Sequence, residues 1–541
     1  MTRSMIAAAD PSNAVRVTTL RISLALFAVV LAAGCAGLPA DRLGPPSTAL
    51  PASGYTALGR IAAAAAPDAE LSGFRLMPGG ANALDTRLQL ARRAERSLDV
   101  QYYQIENDAT GRYFLRELRD AAKRGVRVRL LVDDLYTAGD DELLLAFAAH
   151  DNVEMRLFNP FAVGRAQLST RLLGALLDFD RVNRRMHNKL MIADGVMAVA
   201  GGRNIGDRYF RRGSAENFID LDTFASGPIV GRLAELFDRY WNSNHAFPVA
   251  AVAASHQSRA ELQARFDELT SPLAAPAPPP PPPNDSLGYG PMRDEFDAGR
   301  LGLIWAPAQA FADRPERVIG ETASYGGVPL LDVQSVRYNV REQMRRAQSE
   351  VAIAAPYLIP GAAGMEVLAA LRRRDVSMSI VTSSLAATDE PLVHTGYRRY
   401  RLDMLALGVE LYELSSDRAR RSVRLGIFGS DIGRMHLKTA VIDREILYVG
   451  SMNFDPRSDL HNTELGLIVS SPQLAQQVLK LIALLKQQGS YRLRINAATG
   501  TIEWVNQDAH SVEVLHEEPD SSVWQRALLN LLAPLVPESL L

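Results

Sequence analysis

The chain has 541 residues, 47% of them hydrophobic and 22% charged, which fits two or more globular domains. A formal net charge of −2 gives no support to bulk electrostatic binding of nucleic acid, and none is expected as a partner. Cys35 is the only cysteine, so a disulfide framework is excluded.

At the N-terminus, Arg16 and Arg21 precede an apolar run over residues 22–33 that closes on Leu31-Ala32-Ala33-Gly34-Cys35. A charged region, a short apolar stretch and small residues before a cut describe a signal peptide over residues 1–35. The run is too short for a comfortable membrane span. Cys35 resembles the lipidated first residue of a bacterial lipoprotein, although Ala32 takes the place where Leu is usual. An uncleaved signal anchor is the alternative, and either way the chain is held at a membrane. Residues 36–70, rich in Ala, Pro and Ser, read as a flexible tether.

Apolar residues Leu88, Leu90, Ala91 and Ala94 then suggest a helix, and residues 97–103 a strand. A helix over residues 113–124 ends at Gly125, and residues 126–132 form the next strand. This β-α-β unit implies a parallel strand pair. It recurs later, with a strand at 350–354, a helix over 364–373 and a strand at 376–382. A helix near 397–407 and a strand at 409–413 follow, so the chain is an internal duplication. The halves are expected at 71–275 and 291–488. A proline-rich linker at 276–290, with six consecutive prolines from Pro278, joins them. Residues 489–541 form an appendage, with a hairpin about Ala498-Thr499-Gly500 and an apolar helix at 524–532 stopped by Pro534. That helix suits either a lipid surface or packing on the protein.

Each half carries one copy of the same motif. His187, Lys189 and Asp194 are followed by Gly201 and Asn204; His436, Lys438 and Asp443 are followed by Gly450 and Asn453. Gly comes 14 residues and Asn 17 residues after each His, and the copies lie 249 residues apart. The apolar, β-branched residues after each His predict two strands joined by tight turns at Asp194-Gly195 and Asp443-Arg444. Residues i and i+2 of a strand share a face, so each His projects with its Lys. For one copy alone an ordinary strand-end histidine is as good a reading. Two matched copies point to one site with two imidazoles and two ammonium groups. That set suits a phosphodiester: lysines hold its oxygens, one imidazole attacks phosphorus and the other protonates the leaving oxygen. Asn204 and Asn453 add hydrogen-bond donors. No metal or other cofactor is expected, because a Lys beside each His puts positive charge where a metal would sit, and no cluster of Cys or His has ligand spacing.

The duplicated motif resembles the phospholipase D superfamily over residues 98–467. The stretches 201–207, 240–243, 384–389 and 394–397 are most similar to the bacterial cardiolipin synthase C branch. The resemblance implies an α/β fold of two α/β/α sandwich halves about a pseudo-twofold axis. It also implies a phosphatidyl transferase acting through a phosphohistidine, with phosphatidylglycerol as acceptor and phosphatidylglycerol or phosphatidylethanolamine as donor; the lipoprotein-type signal puts it in the bacterial envelope, facing the periplasm. A phospholipase D or other phosphodiesterase of the same fold shares the first half-reaction and is the alternative. By the same resemblance His187 is the nucleophile, His436 the acid, and Asp220 and Glu464 the carboxylates that orient the imidazoles. Asp222 rivals Asp220 because it shares its strand face. Asp194 and Asp443 are motif residues that the strand count puts away from the His-Lys face, in a structural role. Tyr102, Tyr103, Tyr357, Ser383, Ser384, His394 and Tyr397 fall at or just beyond strand ends, where substrate binds in open α/β sheets, although each fits core or loop equally.

Overall fold

The computed structural model describes residues 44–161, 164–174, 178–214, 216–320, 324–325, 328–329, 332–421, 432–508 and 511–541. The signal segment and Cys35 lie outside them. Two large sheets carry the fold. In the first, strands run in the order Ile304–Ala306, Ser72–Met77, Asp222–Ser226, Met197–Gly201, Leu190–Ala193, Ser97–Tyr102, Arg127–Asp133, Val153–Phe158 and Ala246–Pro248. In the second the order is Ala308–Ala312, Leu465–Ser470, Ile446–Gly450, Thr439–Ile442, Glu350–Ala354, Ser377–Ser383, Glu410–Leu414 and Ser490–Ile495, then Ile502–Asp508 and Ser511–Leu515. From Ser72–Met77 and Ala308–Ala312 onward, the two sheets match strand for strand. This is the expected α/β duplication.

The expected β-α-β unit is present, with Ser97–Tyr102 parallel to Arg127–Asp133. Its helix, Ala109–Lys123, starts where the Asp108 carboxylate accepts from Gly111 N at 2.8 Å, so an N-cap fixes the boundary. In the second half Glu350–Ala354 and Ser377–Ser383 repeat the parallel pair. The helix expected near 397–407 is two short ones, Pro391–Arg398 and Arg401–Ala406.

The halves share one apolar core. Leu190, Ile192, Phe237 and Trp241 of the first half pack in the same cluster as Val441, Leu447, Val449 and Leu481 of the second. The helices Pro228–Trp241 and Pro472–Leu484 supply residues to this shared core. Pairing of the two halves is therefore driven by burial rather than by the proline segment between them.

Both motif hairpins turn on two residues with positive φ: Asp194 and Gly195 at 51° and 67°, Asp443 and Arg444 at 53° and 59°. This is the backbone of a two-residue hairpin whose twist matches its strands. The turn aspartates bind neighbouring backbone. Asp194 accepts from the amides of Glu95, Arg96 and Ser97, and Asp443 from those of Gln348, Ser349 and Glu350. Both aspartates lie at the turns, as the strand count expects.

One expectation changes. The tether is docked from residue 44 on. Trp241 Nε1 donates to Ser47 Oγ at 3.0 Å, Ala49 N donates to Asp238 at 2.8 Å, and Arg129 donates to the Ser47 carbonyl at 2.9 Å. Helix Ala57–Ala65 then buries Leu58 completely. Composition suggested a free polymer, but fixed side chains of the first half satisfy its backbone. The three strands of the appendage extend the second sheet. Its hairpin turns where expected, between Ser490–Ile495 and Ile502–Asp508. No helix among the described residues is long and apolar enough to cross a membrane.

Candidate active site

Each motif His enters the site on a segment that pairs with the other half. His187 N donates to the Thr463 carbonyl at 2.8 Å, and His436 N donates to the Ile219 carbonyl at 2.7 Å. Each of those acceptors directly precedes an acid, Glu464 or Asp220. The carboxylates are consequently exchanged between halves. Nδ1 of His187 lies 3.0 Å from Glu464 Oε2, and Nδ1 of His436 lies 2.6 Å from Asp220 Oδ2. Asp222, the rival, is committed to Arg87 at 2.9 Å and Arg203 at 3.2 Å.

Both imidazoles line one cavity of roughly 530 Å³, together with Asn204, Asn453 and Tyr357. The tautomer of His187 is fixed by its neighbours. Its Nδ1 also faces the Ser451 carbonyl at 3.1 Å, an acceptor only, so Nδ1 carries the proton and Nε2 keeps the free lone pair. Burial, with Lys189, Lys438 and His436 close by, pushes His187 well below the ordinary histidine value, so it is neutral. Its partner is pushed the opposite way: burial raises Glu464 to about 7.

The second pair differs. Burial opposes the charge on Asp220, but the charge and hydrogen bond of His436 outweigh it and hold Asp220 below the usual carboxylate value. Burial and Lys438 outweigh the opposing pull of Asp220, so His436 too is lowered from the ordinary histidine value, though less far than His187. An ionised Asp220 thus supports an imidazolium at His436 better than Glu464 does at His187.

One position separates the pairs. The first half has Gly202 where the second has Ser451. A Cβ at Gly202 would sit 2.2 Å from Asp220 Oδ1, so only glycine lets that carboxylate in. In the second half the Ser451 hydroxyl donates to Glu464 Oε2, and Ser458 donates to its other oxygen at 2.9 Å.

The lysines stand beside the histidines. Lys189 Nζ donates to the His187 carbonyl at 2.7 Å, and Lys438 Nζ donates to that of His436. Burial lowers both, Lys438 to about 8. The Tyr103 ring centroid lies 4.9 Å from that of His187 and 5.1 Å from Lys189 Nζ.

Of the substrate-binding candidates, the cavity contains Tyr103 and Tyr357, and the Tyr357 hydroxyl donates to Asp389 at 2.6 Å. The others are elsewhere. Tyr102 is in the core, bonded by Arg87 at 2.8 Å, and the adjacent Tyr103 faces the cavity instead. The Ser384 hydroxyl is buried and accepts from Ala387 N at 3.3 Å. His394 Nε2 receives Arg401 at 2.9 Å within a buried cluster that includes Glu413 and Glu518. That cluster fastens the C-terminal strands to the second half. Asp194 and Asp443 are likewise away from the cavity. Sequence reasoning missed Tyr136, Tyr209 and the arginines 208, 434 and 457, which line it. Only Arg434 carried a signal, two residues before His436 on the same strand face. Among the described residues no group of three or more His, Cys, Asp or Glu is placed to hold a metal ion.

A family model described as "Cardiolipin synthase, PLD-like domain" matches residues 88–241 and 340–485, one block in each half. The chain belongs to this family. Cardiolipin synthase C of Escherichia coli (strain K12) is 38% identical over 472 residues, covering 85% of this chain and 94% of that protein. A cardiolipin synthase of Staphylococcus aureus (strain Mu50) is 25% identical over 408 residues, covering 75% of this chain and 65% of that protein. The fold matches a crystal structure of phosphatidylserine synthase from Haemophilus influenzae Rd KW20 with a TM-score of 0.54. Identity there is 13%, over 90% of this chain and 100% of the other. The family's phospholipase-D-like halves are those of this fold, and the chain is a cardiolipin synthase-like enzyme.

Proposed function

We propose that the chain is a membrane-bound phosphatidyl transferase that makes cardiolipin through a phosphohistidine on His187. The observation that carries this is the exchanged pairing of His187 with Glu464 and of His436 with Asp220 around one cavity. Nε2 of neutral His187 attacks the phosphorus of a bound phospholipid. The bond from phosphorus to the headgroup oxygen breaks, and Nε2–H of His436 protonates the departing alkoxide. The hydroxyl of a second phospholipid, phosphatidylglycerol, then attacks. Neutral His436 takes its proton, and the bond to His187 breaks. Lys189 and Lys438 compensate the phosphoryl charge, and Asn204 and Asn453 supply further polar contacts. Phosphatidylglycerol serves as donor, or phosphatidylethanolamine does. The family membership supports a lipid substrate, and Cys35 supports a lipid anchor facing the periplasm.

Purified chain incubated with defined phospholipids, with products weighed by mass spectrometry, tests the reading. Cardiolipin from phosphatidylglycerol is expected. Phosphatidic acid as sole product at high acceptor lipid would replace transfer with hydrolysis.

A further inference from the structure

The helix Val523–Leu532 is held to the protein by one side only. Leu529 is buried, and Asn530 accepts from Arg398 at 3.0 Å on the neighbouring helix Pro391–Arg398. The opposite side presents a single apolar row. Trp524 is 85% exposed, Leu528 56%, Leu531 70% and Leu535, one turn further, 73%. Steps of four, three and four residues put these four on one face. The helix has no acidic residue, and Arg526 is its only charge. Arg526 is paired with Glu517, and the flanking Arg398 and Arg399 are paired with Glu518 and Glu538. A Trp at the end of an exposed apolar row suits the boundary between acyl chains and lipid headgroups.

The row continues into the catalytic cavity. After Leu535 the chain turns inward, where Tyr400 donates to Glu538 at 2.7 Å and Arg457 N donates to the Leu541 carbonyl at 3.0 Å. Val536, Leu540 and Leu541 form part of the cavity wall beside Leu392 and Val393. The rim of the site on this side is therefore apolar and contiguous with the exposed row. A volume near 530 Å³ suits a headgroup and phosphodiester, not the acyl tails as well. Those tails need an apolar continuation outside. A single row of four side chains also falls short of the ~800 Å² per partner that a stable dimer buries.

We infer that the helix Val523–Leu532 and the turn after it seat the cavity mouth on a phospholipid bilayer, with Trp524, Leu528, Leu531 and Leu535 among the acyl chains. This rests on the lipid-substrate reading for what crosses the rim, but binding is measured separately from turnover.

The test uses the full chain on vesicles of phosphatidylglycerol and phosphatidylethanolamine with brominated acyl chains. The Trp524 signal is isolated by subtracting the spectrum of Trp524→Phe. It is expected to shift to shorter wavelength on vesicles and to be quenched about twofold or more by the bromines. Leu528→Asp with Leu531→Asp should abolish both effects while leaving turnover of a monomeric short-chain lipid unchanged. A Trp524 signal that stays water-like and unquenched on vesicles would overturn the inference. So would a signal already shifted without lipid, or one that shifts with protein concentration alone, because the row is then covered by the chain itself or by a second copy. Quenching without cardiolipin formation removes the transferase reading and leaves the docking surface; cardiolipin formation without quenching does the reverse.

Discussion

Asp220 belongs to the first half of the chain, yet its carboxylate lies 2.6 Å from Nδ1 of His436 in the second. Glu464 returns the arrangement to His187 at 3.0 Å. Neither half holds a complete site, so docking of the halves through their shared core is a condition for chemistry. The two pairs are related by symmetry but not equal. Asp220 is held below the usual carboxylate value and Glu464 is raised to about 7, and of the two lowered rings His436 is the less strongly biased against the imidazolium.

Gly202→Ala should damage His436 without touching His187. The added Cβ meets Asp220 Oδ1 at 2.2 Å and must displace it. Turnover of natural phospholipids, whose alkoxide needs a proton, should fall by about 10²-fold or more. A nitrophenyl phosphodiester, whose leaving group needs little protonation, should lose far less. Equal losses on both substrates would contradict a role confined to His436.

Glu464 makes stability depend on pH in a defined direction. Burial raises it from 4.5 to about 7, so between those values the folded protein keeps a proton that the unfolded chain has released. Stability is fully present below about pH 4.5 and falls as pH rises through 7. Glu464→Gln should flatten this, with a difference on the order of 2 kcal/mol between pH 5 and pH 8. Urea unfolding of both proteins at the two pH values measures it. A wild-type protein that gains stability from this group as pH rises would reverse the sign.

The turn aspartates should matter for folding rather than chemistry. Asp194 is fully buried and accepts three backbone amides. Asp194→Ala leaves those donors unpaired and should cost roughly 3 kcal/mol. Asp443→Ala, in a more open turn, should cost less. Both variants should retain burst chemistry in the folded fraction. Loss of the burst in fully folded Asp443→Ala would assign it a catalytic part.

Cys35→Ser should block lipidation and shift the mobility or the membrane fractionation of the chain. Unchanged mass and extraction would favour the uncleaved anchor.

The sequence made the motif hairpins legible because their chemistry is local: spacing, β-branched residues and a turn at Asp194-Gly195. It also made the duplication legible, because the same pattern recurs. What it could not carry was the pairing between halves. His187 meets Glu464 only through a bridge to Thr463, 276 residues away in sequence, and no periodicity encodes that contact. Strand phase was the second limit, because both Tyr102 and Tyr103 were candidates and only one of them can face the site. Tyr102 and Tyr103 are adjacent, a shift of one residue reverses the face, and the cavity receives Tyr103. His394 sits beyond a strand's open end in sequence order, but the segment after the last strand reaches that place and buries it with Arg401 and Glu518. The tether misled because composition reports solubility and not docking. Ser47 and Ala49 are ordinary residues that Trp241 and Asp238 hold down.

The assignment of the two histidines is tested most directly by a pre-steady-state burst with a nitrophenyl phosphodiester. His436→Ala keeps the nucleophile and removes the acid, which this leaving group scarcely needs. It should release about one nitrophenolate per enzyme and leave His187 phosphorylated. His187→Ala should give no burst. A burst that survives in His187→Ala and vanishes in His436→Ala would reverse the assignment, and no covalent intermediate in either variant or the intact enzyme would contradict the two-step mechanism itself.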